Sequence, residues 1–296
     1  MIKSKEMRGT VILLITAFVW GVAFVAQSEG AKLVGPFTFL SLRSFLGGIV
    51  LLPFIAVRSQ KTQADETTTG GKTLLLGGVL CGIALCVASY LQQAGIEYTS
   101  VGNAGFITAL YILIVPVLGL FFKRRVPAKL WFCIVVAVVA LYLLTVKDGF
   151  SISAGDTMVM GCALVFSGHI LLVDYFSPKV DGVKLACLQF FTVGVLSFLP
   201  MLLIERPSIN AVLSAWLPIA YAGVLSSGVG YTLQIIGQKY TRPAVASLVM
   251  SLESVFAVLA GIAFGQIPSV KEGIGCVLMF AAIVFAQLPG KEEKHA

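Results

Sequence analysis

Ten runs of roughly twenty apolar residues, divided by short polar stretches, fill almost all of this 296-residue chain. A helix needs about 20 such residues to cross the hydrocarbon core of a bilayer. The runs fall at 9–28, 36–57, 73–93, 101–122, 129–146, 155–175, 183–204, 211–236, 243–264 and 270–288. Composition agrees with a second solvent: 58% of the chain is hydrophobic and only 12% is charged, against roughly 25% charged in a soluble domain. A soluble core of this size could not hide that much apolar surface. The expected fold is an all-α polytopic membrane protein of ten transmembrane helices. Lys3, Lys5 and Arg8 before the apolar stretch 11–26 mimic a signal peptide, but nine more apolar runs follow, so the stretch reads as a retained first helix. The longest connection, 58–72, is too polar to pack, and no soluble domain is expected.

The net charge of +7 does not point to nucleic acid. The basic residues sit in short blocks between apolar runs, with no basic helix face and no aromatic-basic interleaving. Ten spans put both termini on one side. Of the 21 Lys and Arg residues, Arg43 lies within a span, Lys32, Lys147, Arg206 and Lys271 fall on the side away from the termini, and the other sixteen fall on the terminal side. The positive-inside bias therefore expects both termini in the cytoplasm and the chain in the cytoplasmic membrane. Cys81, Cys86, Cys133, Cys162, Cys187 and Cys276 all lie in apolar runs, without a CxxC pair or a Cys/His cluster. They read as small packing residues, and no metal is expected.

The chain echoes itself. Residues 91–99 read LQQAGIEYT and 233–241 read LQIIGQKYT, with Leu, Gln, Gly, Tyr and Thr in one register. Ala17-Phe18-Val19-Trp20 aligns with Ala163-Leu164-Val165-Phe166, and Pro53 and Pro200 close the second and seventh spans. Three matches in the same order indicate duplication. Each half holds five spans, an odd number, so the second half enters from the opposite side. The expectation is two inverted five-helix repeats, at 1–148 and 149–290, with a cytoplasmic tail at 291–296. Inverted repeats recur in secondary transporters, whose sites lie near the midplane where the halves meet.

Two five-helix repeats in a chain of this length, Trp20-Gly21 in the first span, SVGNAGFITALYILIVPVLGL at 100–120 and ASLVMSLESVFAVLAGIAFGQ at 246–266 resemble the EamA-type members of the drug/metabolite transporter superfamily. The resemblance covers nearly the whole chain. Ser254 stands where that family often has Pro, and Gly265-Gln266 where it often has Gly-Glu. The resemblance implies a permease, commonly an exporter of amino acids or other small metabolites.

Ionisable residues inside spans cost roughly 2.5–3.5 kcal/mol at a helix centre and so need a reason. Glu253 sits in the middle of the ninth span, and the repeat offset carries it onto Tyr111 in the middle of the fourth. Glu253 reads as a partner for a substrate amine or as a carrier of a coupling proton; the alternative is an acid that locks helix packing. Arg43 meets a substrate carboxylate, pairs with Glu29 or Glu97, or snorkels to headgroups. His169 reads as a proton relay or an interhelical hydrogen-bonder, and Asp174 as interfacial. Gln92, Gln93 and Asn103, with Tyr90 one turn deeper, and Gln234 with Tyr231 in the second half, either line a polar cavity or bridge helices. Trp20 and Phe24, one turn apart on the first helix, form a cavity wall or pack in core or lipid. Pro116 is placed to kink the fourth span and re-aim Tyr111.

No Walker A loop, dinucleotide fingerprint, HExxH or hydrolytic triad occurs, so neither a cofactor nor a catalytic set is expected and any drive comes from a gradient. The expected partners are a small-molecule substrate, membrane lipid and a coupling proton, without nucleic acid, in a monomer or homodimer. A lipid-modifying intramembrane enzyme is the rival reading, but its usual cluster of His, Asp or Ser at one depth is missing. A non-transporting membrane subunit is the other, and it gives no reason for the duplication.

Overall fold

A computed structural model of the chain describes residues 2–61, 70–99, 101–124, 126–145, 153–263 and 269–288. Expectations for 62–69, for Arg125 and Lys147, for Gly265-Gln266 and for the tail at 291–296 concern residues outside these ranges, and the side chain of Asn103 is likewise outside what is described.

The described residues are helical and contain no strand. The first three spans are α1 (Ile2–Ala31), α2 (Pro36–Lys61) and α3 (Gly70–Ile96). The fourth is divided into α4 (Val101–Ala109) and α5 (Tyr111–Phe121), and α6 (Ala128–Thr145) completes the first half. The second half opens with α7 (Ala154–Phe176) and α8 (Gly182–Pro200), the latter running into a short π-helix, Met201–Glu205. After α9 (Ile209–Ser214) the eighth span comprises α10 (Trp216–Ala220), an eleven-residue π-helix, Tyr221–Tyr231, and α11 (Thr232–Gln238). The ninth is divided into α12 (Pro243–Met250) and α13 (Glu253–Ala263), and α14 (Val270–Gln287) is the tenth.

Nine of these stretches are long and apolar enough to cross a membrane, and the fifth, Ala128–Leu144, is a shorter apolar helix. The eighth span begins at Trp216 rather than 211, because α9 is a separate helix that buries none of its residues. The molecule is a multi-pass membrane protein with its polarity arranged for lipid. Phe54, Phe121, Phe132 and Val277 face outward, whereas Glu253, Arg43, His169, Gln189 and Gln234 are buried between helices.

Packing between the halves follows one rule. The second span lies on the seventh, the fifth on the tenth and the fourth on the ninth. The third packs on the sixth and seventh, and the eighth packs on the first and second. The first packs on the ninth, and the sixth on the fourth. Each of these contacts has a counterpart with the halves exchanged.

The tightest crossings obey the same exchange. A Cβ at Gly9 would sit 2.9 Å from the Gly237 carbonyl oxygen, and one at Gly95 would sit 2.9 Å from that of Gly155. Gly9 and Gly155 are spaced as Ala17 and Ala163 are, and Gly95 and Gly237 belong to the repeated LQxxGxxYT segments. Small residues here let backbones meet, which is how helices gain packing in lipid.

The fourth and ninth spans break at matching places. Leu110 separates α4 from α5, and Ser251-Leu252 separates α12 from α13. Tyr111 and Glu253 are each the first residue after the break. Pro116 does not explain this. The ninth span breaks identically with Val258 at the corresponding position, and Pro116 lies inside α5, beyond the break. In the ninth span the Ser251 hydroxyl donates to the Leu248 carbonyl at 2.7 Å, a back-bond of the kind that bends helices.

Candidate functional site

The two broken spans carry their first residues to one another. The Tyr111 hydroxyl donates to Glu253 Oε1 at 3.1 Å, deep inside the protein. Tyr111 has no exposed surface and Glu253 has 3%. The carboxylate also occupies the first turn of α13, the positive end of that helix's dipole. Gly21 brings the first span against this point: a Cβ there would lie 2.6 Å from the Glu253 carbonyl oxygen. The Trp20-Gly21 pair thus has a steric role beside its aromatic one.

Glu253 forms one wall of a narrow cavity of about 30 Å³, space for water rather than for a metabolite. Trp20, Phe24 and Gln27 of the first span, Arg43 of the second, Gln92 of the third and Tyr231 of the eighth share its walls. An acid and a guanidinium therefore face one space. Trp20 Nε1, Gln27 Oε1 and Arg43 Nε are buried there without a hydrogen-bond partner. Buried polar groups are rarely left unpaired, and here two donors and an acceptor belong to residues that line the same small cavity.

Aromatic rings pack together around it. Phe166 contacts Trp20 at 5.9 Å, Tyr111 at 5.7 Å and His169 at 5.5 Å between ring centroids, and Trp20 lies 4.5 Å from Tyr231. Phe166 is not among the residues singled out from the sequence, although it is the repeat counterpart of Trp20. The alignment of residues 17–20 with 163–166 places Phe166 opposite Trp20 and would have found it. Gln27, Thr108 and Ser226 of the same cavity carry no such signal.

The remaining candidates divide. Gln92 lines the cavity and donates to Thr108 at 3.1 Å. Its counterpart Gln234 lies elsewhere and donates to Gln238 at 3.0 Å, which in turn donates to the Ile170 carbonyl. Gln93 bridges helices by donating to the Gln27 carbonyl at 3.1 Å. His169 Nε2 lies 3.1 Å from Gln189 Oε1, and the His169 ring stands behind Phe166 and Tyr231 rather than in the cavity wall. Tyr90 stacks on Phe37 at 4.2 Å, beside the start of α2. There Glu205 accepts the Phe37 and Thr38 backbone N–H groups, each at 2.7 Å, and the Thr38 hydroxyl.

Neither acid proposed as a partner for Arg43 forms an ion pair with it among the described residues. Glu29 pairs with Lys32 at 2.6 Å. Glu97, beyond the end of α3, has its carboxyl raised above the ordinary range by partial burial and by the Glu205 carboxylate nearby. Asp174 pairs with Arg124 at 2.6 Å, as an interfacial acid would.

Comparison with known proteins bears on all of this at once. The profile of the EamA-like transporter family matches residues 7–146 and again residues 153–287. An uncharacterized transporter of Archaeoglobus fulgidus is 27% identical over 291 residues, covering 96% of this chain and 87% of its own. An uncharacterized transporter of Synechocystis sp. is 24% identical over 249 residues, covering 77% of this chain and 74% of its own. A crystal structure with 19% sequence identity superposes with a TM-score of 0.78 over 95% of this chain and 96% of that one, a likeness of fold.

Proposed function

The chain belongs to the EamA-like transporter family and is a membrane transporter, and from that premise we propose that it exports small organic metabolites, amino acids or amines, across the cytoplasmic membrane by alternating access. The observation that carries this reading is the Tyr111–Glu253 hydrogen bond, formed at matching breaks in the fourth and ninth spans, in the wall of a cavity that also holds Arg43. Discontinuous helices meeting between two halves are a recurring form of transporter site.

The groups present suit a solute with an amine. An ammonium group entering the cavity takes the place of the Tyr111 hydroxyl on the Glu253 carboxylate, and Trp20, Phe166 and Tyr231 offer it ring faces. A solute that also bears a carboxylate finds the Arg43 guanidinium across the same space. When the solute leaves, Glu253 regains either the Tyr111 hydroxyl or a proton. That exchange is how a coupling proton would be carried.

Alternating access needs two packings of similar energy. The exchange of helix partners between halves, with five spans in each, supports an inverted repeat that supplies them. A cavity of about 30 Å³ corresponds to a collapsed central site that must widen to load. The charge bias supports cytoplasmic termini, and with that orientation the larger cavity at the basic end would lie on the loading side of an exporter.

The test is reconstitution into liposomes with a panel of labelled amino acids, amines and sugars. Counterflow of an amino acid or amine is expected, and E253Q is expected to insert normally but lose gradient-coupled transport. Full coupled transport by E253Q would remove Glu253 from the mechanism.

A further inference from the structure

A second cavity, of about 500 Å³, lies at the end of the molecule where the basic segments gather. That is the size of a small-molecule pocket. Its inner walls are apolar and come from Val115 and Pro116 of the fourth span, Leu171 of the sixth and Val245 of the ninth. Its mouth is cationic, with Arg124, Lys129 and Arg242; Glu6 is the acid that lines it.

These cations are not equivalent. Arg124 is neutralised by Asp174. Lys129 bonds the Leu288 carbonyl, a neutral acceptor, and has no acidic partner among the described residues. Arg242 is exposed at the start of α12. Two helix N-termini add to this field, since the first turns of α6 (Ala128, Lys129, Leu130) and α12 (Pro243, Ala244, Val245) both form part of the wall. Pro243 carries no N–H, and the Leu130 and Val245 N–H groups bond the Pro127 and Arg242 carbonyls, so the helix starts contribute chiefly the partial positive charge of their dipoles. The Thr241 hydroxyl, on a residue 8% exposed, and the Gln287 amide nitrogen are buried lining groups without a partner. Both can donate hydrogen bonds.

We propose that this vestibule is a binding site for an amphipathic organic anion. The carboxylate or phosphate head lies between Arg242, Lys129 and the two helix starts, and the apolar body lies along Val115, Leu171 and Val245. The site is distinct from the Glu253 cavity, and its occupancy does not require transport. Two sources share this chemistry, a water-soluble amphiphile and an anionic phospholipid of the adjoining leaflet.

The experiment titrates the full chain, in nanodiscs of neutral phosphatidylcholine, with octanoate by calorimetry, with octylammonium as the control. Saturable octanoate binding is expected, weakened about tenfold or more by R242Q and abolished by V245W, which fills the apolar end while leaving the cations. Because Arg242 is exposed, R242Q is expected to keep the wild-type melting temperature. In a parallel arm, the chain is taken from phosphatidylglycerol nanodiscs into native mass spectrometry. Retained phosphatidylglycerol that R242Q sheds, in place of octanoate binding, assigns the site to lipid. Octylammonium binding as well as octanoate does, or neither octanoate saturation nor R242Q-sensitive lipid retention, overturns the proposal. Transport by E253Q or its loss is read separately and bears only on the central site.

Discussion

Tyr111 and Glu253 are each costly in a membrane interior, and each is made tolerable by the other. The hydroxyl satisfies one carboxyl oxygen of an almost fully buried acid. Removing one partner of a buried hydrogen bond exposes the other to its full desolvation cost, about 1–3 kcal/mol. Y111F is therefore expected to lower the thermal stability of the detergent-solubilised protein. In a cycle with E253Q, the double variant is expected to lose less than the sum of the singles, with a coupling of about 0.5–3 kcal/mol. Additive losses would mean that the contact contributes no mutual stabilisation. Repeat logic was sufficient to pair these two residues from the sequence. It was not sufficient for Gln92 and Gln234, identical residues at equivalent positions, because Thr108 holds one at the cavity and Gln238 draws the other away.

The broken spans are the elements that place this pair. Pro116 is dispensable to the break, since the ninth span interrupts at the same position without proline. P116A is expected to keep counterflow within about twofold of wild type, because Pro116 is buried inside α5 beyond the break, where alanine restores one backbone hydrogen bond and leaves the break in place. Loss of transport would return the break to Pro116. Gly21 is the opposite case. Alanine there puts a Cβ against the Glu253 carbonyl and the Phe256 side chain, each at 2.6 Å, and backbone has little room to yield. G21A is expected to cost about 1–3 kcal/mol of stability and to impair transport together with it, read by melting and by counterflow. The eleven-residue π-helix Tyr221–Tyr231 was not legible in the sequence. Its Gly and Ser residues read only as small packing groups, and hydrogen-bond register inside an apolar run leaves no mark on hydropathy.

Across the whole molecule, the basic end is roomy and the centre is narrow. A cavity of about 500 Å³ lies at one end, and about 30 Å³ surrounds Glu253. In a background with the six native cysteines replaced, a charged thiol reagent applied from the basic face is expected to modify V245C much faster than S226C. Equal rates would show that the central cavity communicates with that face.

The sequence by itself determined the number and approximate bounds of the spans, the bias of basic residues and the duplication, because lipid imposes length, polarity and sidedness on each segment separately. Register between repeats then paired Tyr111 with Glu253, since duplication preserves position. Only the tertiary structure decided which other polar groups share their cavity. Arg43, Gln27 and Phe166 converge there from three different spans, and His169 and Tyr90, equally eligible as residues, are turned to other neighbours. Those outcomes depend on the rotation and crossing of whole helices, set by glycine contacts such as Gly9 on Gly237. They are relations between segments that no single segment encodes.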